Sequence, residues 1–126
     1  MAEKGDQLLL DDWTVSLFSQ TDPVNLPWQA LTIDLVIDCS GHFRHRAEAM
    51  QHIDSGAERV LIGAPSPDAD ITLVQGVNEQ QYDPSLHQII SNASCTTNSL
   101  APPLKVMDQQ FGIERVLITT VHAYTV

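Results

Sequence analysis

The feature that most restricts the fold is a strand–helix–strand run in the middle of the chain. Ile33 to Ile37 is a short apolar strand that ends in Asp38-Cys39-Ser40-Gly41. Arg44 to Ser55 follows with helical spacing, in which Phe43, Ala47, Met50 and Ile53 bracket one face. Gly56 stands where a helix of that length needs its left-handed terminator. Arg59 to Ile62 is a second apolar strand, stopped by Gly63-Ala64-Pro65. Short apolar strands joined through a helix predict an α/β layer built on a largely parallel sheet. Ile71 to Val74 and His87 to Ile90 supply two further strand candidates.

The ends of the chain read differently. Leu8-Leu9-Leu10 and Trp13 to Phe18 are short strand candidates separated by Asp11-Asp12, with no strong sign of what they pair with. Asp22-Pro23 and Leu26-Pro27 punctuate a loop, because each proline holds the residue before it extended. Towards the other end, Leu100, Leu104, Met107 and Phe111 line one face of a helix that stops at Gly112. Glu114 to His122 alternates so that Val116, Ile118, Thr120 and His122 share one side of an expected strand.

Composition removes several classes of function. Six Lys and Arg against sixteen Asp and Glu give a formal charge of -10, which repels nucleic-acid phosphates. An anion site made of backbone N–H groups is not excluded, since it needs no basic side chain. The two cysteines, Cys39 and Cys95, form no CxxC pair, and the five histidines form no HExxH. No apolar run reaches membrane-spanning length and no signal-like segment opens the chain. The expectation is a cytoplasmic protein without metal, nucleic acid or membrane as partner.

The chemistry-bearing segment is Ser91-Asn92-Ala93-Ser94-Cys95-Thr96-Thr97-Asn98, between a strand and a helix. Ser94 has the residue type and position of an N-cap, which puts Cys95 at the first helical position and Thr96 at the second. A cysteine there faces unpaired N–H groups and the positive end of the helix, both of which favour an anion. A lone cysteine is more often a small buried hydrophobe, and a lone histidine such as His122 is more often an ordinary hydrogen-bonded side chain. Cys39, after an apolar strand, is read as core filling.

That segment, with Thr119-Thr120-Val121-His122-Ala123-Tyr124-Thr125, resembles the phosphorylating glyceraldehyde-3-phosphate dehydrogenase family. The resemblance extends through Asp22-Pro23, Leu26-Pro27-Trp28, Asp38-Cys39-Ser40-Gly41, Gly76-Val77-Asn78 and Tyr82-Asp83-Pro84-Ser85-Leu86. It implies that Cys95 is the nucleophile and His122 the general base, acting on glyceraldehyde 3-phosphate and inorganic phosphate with NAD or NADP as hydride acceptor. Ser94 and Thr96 would bind the attacking phosphate and Thr125 the substrate's phosphate. Asp22, Pro23, Ser40 and Gly41 would lie beside the dinucleotide. The sequence departs from the family pattern at Thr21, Gly63 and Ser99, and Pro103 predicts a kink in the cysteine helix.

The resemblance also predicts the architecture. Residues 1–112 would be a partial Rossmann-type nucleotide-binding domain, a parallel sheet with flanking helices, and residues 113–126 the first strand of a catalytic domain. The 126 residues contain no GxGxxG turn, which in the family comes before the region represented here. The isolated chain is therefore expected to expose a sheet edge and an apolar face and to turn over little, while full-length relatives form homotetramers. Two alternatives stay open: an erythrose-4-phosphate dehydrogenase, and a catalytically inactive remnant that associates with a complete subunit. Oxidation of Cys95 as a redox sensor is a third.

Overall fold

The computed structural model describes residues 2–3 and 6–123. Two sheets are present among them. The first is antiparallel: β1 (Ala2–Glu3), β2 (Gln7–Leu10) and β3 (Trp13–Ser16) in that order. Strands β2 and β3 pair from Gln7 with Ser16 to Leu10 with Trp13, which leaves Asp11-Asp12 as a two-residue hairpin loop. Asp11 takes a φ of 51°, the left-handed conformation such a loop demands and an aspartate tolerates. The two apolar runs thus partner each other, a pairing not anticipated from sequence.

The second sheet carries the site. It contains β4 (Leu35–Asp38), β5 (Arg59–Ile62), β6 (Ile71–Thr72) and β7 (Ile89–Ser91), all parallel, in the order β4-β5-β7-β6. Helix α1 (Arg46–Asp54) connects β4 to β5, and α2 (Cys95–Phe111) follows β7. This is the predicted α/β layer, a partial Rossmann-type sheet flanked by helix.

Packing explains the strand choices. Val36, Ala49, Ala57, Val60, Ile62 and Ile89 form one buried cluster between α1 and the sheet, and Val60, Ala49 and Ile89 have no exposed surface. Burying each large aliphatic there contributes about 1.5–3 kcal/mol. Gly56 ends α1 at a φ of +104°, and a Cβ on it would meet the Gln29 Cβ at 2.4 Å. Only glycine fits that approach.

The strands are less deeply buried than their apolar sequences suggest. In β4 the burial alternates: Val36 and Asp38 face the core, while Leu35 is 47% and Ile37 61% exposed. Among the described residues the second face of β4 is therefore open, and β4 stands at the edge of its sheet. Cys39 is exposed rather than core filling, because it follows Asp38 at the point where the strand turns out of the sheet.

One further expectation fails. Residues 113–123 form no strand. They pair with no strand among the described residues, with Leu117 93% and Val121 94% exposed, and a strand cannot persist without a ladder partner for its N–H and C=O groups. Helix α2 forms and ends at Gly112 as expected, but it buries no residue: Met107 and Phe111 lie open. Its helical backbone continues through Pro102 and Pro103. Tethering comes instead from Lys105, whose Nζ donates to the carbonyls of Gly76 and Val77 at 3.0 and 2.7 Å.

Candidate active site

The turn between β7 and α2 is built by polar side chains. Ser91 is fully buried; its hydroxyl donates to the Ala64 carbonyl at 2.8 Å and accepts from the Ala93 N–H at 3.1 Å. Ala93 takes a φ of 57°, a conformation costly for a residue with a Cβ. The turn lets Ser94 cap the helix as predicted: its Oγ accepts from the Thr97 N–H at 3.0 Å and lies 2.8 Å from the Thr97 hydroxyl. Cys95 then begins α2 with its side chain exposed.

His122 comes to this helix start from the far side. A cleft of about 430 Å³ is lined by Cys95, Thr96, Ser99 and Leu100 on α2 and by Ile118 to His122 on the returning segment. The Thr96 Oγ1 and His122 Nε2 lie 3.4 Å apart. The structure therefore brings Cys95, Thr96 and His122 to one open cleft, although the segment bearing His122 is not the expected strand. Ser94 lines a smaller neighbouring hollow of about 200 Å³, which it shares with Thr96 and Thr97. Thr125 lies outside the described residues.

The four residues expected near a dinucleotide divide. Pro23 and Ser40 line a second cleft of about 530 Å³ beside β4, together with Thr21, Trp28, Asp38 and His52. Asp22 is not among its lining residues: its carboxylate accepts from the Val24 N–H at 3.2 Å and caps the short 3-10 turn Pro23–Asn25. Gly41 also stands outside it, at a φ of +75°, with nothing within 4 Å of where a Cβ would be. This second cleft shares no lining residue with the Cys95 cleft.

Asp38, Trp28 and His52 place polar groups in the wall of the β4 cleft. Asp38 is 8% exposed; its Oδ1 accepts from the Ser40 N–H at 2.7 Å, and its buried Oδ2 has no protein partner. Beside it the Trp28 indole N–H donates to His52 Nδ1 at 3.0 Å. Burial lowers the His52 pKa below its ordinary 6.5, with the Asp38 charge opposing that shift. A neutral His52 keeps its proton on Nε2, since Nδ1 is the acceptor.

Sequence reasoning missed the parts that hold the cysteine turn. Ser91, Ala93 and Asn98 were part of the motif but were given no role of their own. A serine after an apolar strand was the available signal for the first; the spacing of Asn98, four residues beyond the cap, was the signal for the last.

Taken together, a partial Rossmann-type sheet and a cysteine–histidine cleft at the end of its last strand place the chain among dinucleotide-dependent oxidoreductase folds. Two family models match it. The model described as the NAD binding domain of glyceraldehyde 3-phosphate dehydrogenase covers residues 1–46, and that of the C-terminal domain covers residues 94–126. The chain is 52% identical over 120 residues to glyceraldehyde-3-phosphate dehydrogenase 2 of Streptomyces avermitilis, covering 95% of this chain and 36% of that protein. It is 51% identical to the corresponding enzyme of Streptomyces coelicolor, covering 95% and 36%, and 51% identical to glyceraldehyde-3-phosphate dehydrogenase 2 of Bacillus subtilis, covering 95% and 35%. The chain belongs to the glyceraldehyde-3-phosphate dehydrogenase family. It spans about a third of the length of these relatives. Among the described residues no helix is long and apolar enough to cross a membrane.

Proposed function

We propose that this chain carries the nucleophile and the base of a phosphorylating aldehyde dehydrogenase acting on glyceraldehyde 3-phosphate. The observation that carries the reading is the shared cleft of Cys95 and His122, open to solvent at the start of α2. The Cys95 sulfur attacks the aldehyde carbon; a C–S bond forms and the carbonyl electron pair, protonated, becomes the hydroxyl of a thiohemiacetal. His122 accepts that hydroxyl proton as the carbon gives up its hydrogen with both electrons, and the restored C=O makes a thioester on Cys95. A bound nicotinamide supplies the acceptor for that hydride. Phosphate oxygen then attacks the thioester, the C–S bond breaks, and the sulfur leaves as thiolate with the acyl phosphate as product.

Thr96 is suited to hold the attacking phosphate, with its hydroxyl beside His122, and Ser94 flanks it. Both donate hydrogen bonds without basic charge. Thr125 is assigned the substrate's own phosphate by the family resemblance. Pro23 and Ser40, which line the cleft beside β4, support a dinucleotide there; Asp22 and Gly41 are assigned there by resemblance, with NAD or NADP as the cofactor. The domain division at residue 112, a homotetrameric parent protein and a cytoplasmic setting belong to the same reading.

An acyl phosphate tests the chemistry without the cofactor, because the last step runs in reverse as thiolate attack on the acyl carbon with release of phosphate. Mass spectrometry after incubation with acetyl phosphate is expected to find acylation at Cys95, lost in Cys95→Ser. Acylation spread equally over Cys39 and Cys95 would sink the assignment. Turnover of the whole reaction by this chain alone is expected to be slight, since positioning errors of an ångström cost about a hundredfold in rate.

A further inference from the structure

We infer that Asn98 is a positioning residue for Cys95, an inference that rests on the nucleophile reading above. Its side-chain amide carries two hydrogens. At one and the same Nδ2 it donates to the Asn92 carbonyl at 2.7 Å and to the Ser94 carbonyl at 3.0 Å. These carbonyls flank Ala93, whose φ of 57° is the strained point of the turn. One amide therefore straps both ends of the left-handed residue to the second turn of α2.

The Ser94 carbonyl also accepts the Asn98 backbone N–H at 2.9 Å. That carbonyl and the Cys95 N–H belong to one planar peptide, with C=O and N–H pointing opposite ways. Held from its oxygen side by two donors of a single residue, the peptide has its N–H directed away from Asn98. The same restraint fixes the Cα from which the Cys95 side chain leaves. Asn98 thus sets the attitude of the nucleophile through the Ser94–Cys95 peptide, and it touches neither aldehyde nor phosphate in doing so.

The test measures the rate at which iodoacetamide alkylates Cys95 at neutral pH in this chain, in a Cys39→Ser background. Asn98→Ala is expected to slow alkylation about tenfold, well within the ~hundredfold that a misplaced reacting group can cost. Asn98→Ser is expected to fall between the two, since a serine hydroxyl reaches the carbonyl four residues back and restores the bond to Ser94 alone. Circular dichroism checks that α2 persists. Wild-type rates in both variants would overturn the inference, as would Asn98→Ser reacting as slowly as Asn98→Ala. If Asn98→Ala loses its helical signal, Asn98→Ser decides: a slowed rate supports the positioning role and a wild-type rate refutes it. A separate result discriminates the parent reading: if Cys95 in the otherwise unaltered chain reacts no faster than Cys39, the nucleophile assignment fails and the positioning role falls with it.

Discussion

The Thr96 hydroxyl lies 3.4 Å from His122 Nε2, a link between the first turn of α2 and a segment that has no sheet to hold it. At that length the bond is at the weak end of hydrogen bonding. It nevertheless joins a helix residue to the segment opposite it across the cleft. Thr96→Val is expected to leave global stability within about 0.5 kcal/mol, as exposed substitutions usually do. Hydrogen exchange is the measurement: faster exchange at residues 118–122 with α2 unchanged is expected, and unchanged exchange there would show that the hydroxyl restrains nothing.

Ser94 is expected to matter for the helix independently of chemistry. Its Oγ is the acceptor for the Thr97 N–H, so Ser94→Ala removes the N-cap and costs about 1 kcal/mol in urea unfolding. Ser94→Asp, which also caps, is expected to recover most of that loss. Equal stability of all three chains would remove the cap from the account.

Asp70 joins three elements. Its Oδ1 accepts from Arg46 Nε at 2.8 Å and its Oδ2 from the Gln88 and Ile89 N–H groups at 2.9 and 2.8 Å. Burial pushes this carboxyl up, but the Ile89 N–H, Arg46 and the Gln88 N–H together bring it below its ordinary 3.8. A carboxyl lower in the folded chain than in the unfolded one stabilises fully above the ordinary value. The contribution is lost as pH falls through the lowered one. Asp70→Ala is expected to cost about 2 kcal/mol at neutral pH, the scale of hydrogen bonds to a charged group. Urea titrations should show a smaller acid-induced loss in the variant below the ordinary carboxylate value.

His52 adds a second pH dependence, at higher pH. Its pKa is lowered from 6.5, first by burial and against the Asp38 charge, so the folded chain favours the neutral ring. The stability this gives is present above 6.5 and declines as pH falls toward the folded value. Protonation also places a hydrogen on Nδ1, where the Trp28 indole now donates. Unfolding midpoints should therefore drop between about pH 7.5 and 5.5, the range where histidine titrates, and His52→Gln should flatten that part of the curve. A variant as acid-sensitive as the parent would refute the assignment.

Ile37, 61% exposed on the open face of β4, gives a test of the sheet. Ile37→Lys is expected to change stability by less than about 0.5 kcal/mol, in keeping with surface positions. It should reduce binding of a hydrophobic dye and slow aggregation, since a charged edge resists further strand pairing. Loss of the fold in this variant would mean that the face is covered.

The sheet was legible because strand, helix and glycine stop each carried a local signal: Val36, Val60 and Ile89 are apolar for the core they form, and Gly56 is glycine for its contact with Gln29. The helix start at Ser94 and Cys95 was legible for the same reason, a cap being a short-range device. What misled was anything that depends on a distant partner. Residues 113–123 alternate like a strand but have no neighbour to pair with among the described residues, and the stripe of Leu100, Leu104, Met107 and Phe111 has the period of a packed helix without the packing.

Ala93 bears on how the cysteine turn can be inherited. Its left-handed backbone costs an alanine about 1–2 kcal/mol, a penalty glycine escapes. A glycine there would relax the loop and also multiply the shapes it can visit, so the more comfortable residue is the less obedient one. Protein engineers who try to stabilise this chain by relieving that conformation should find it gaining ease and losing aim.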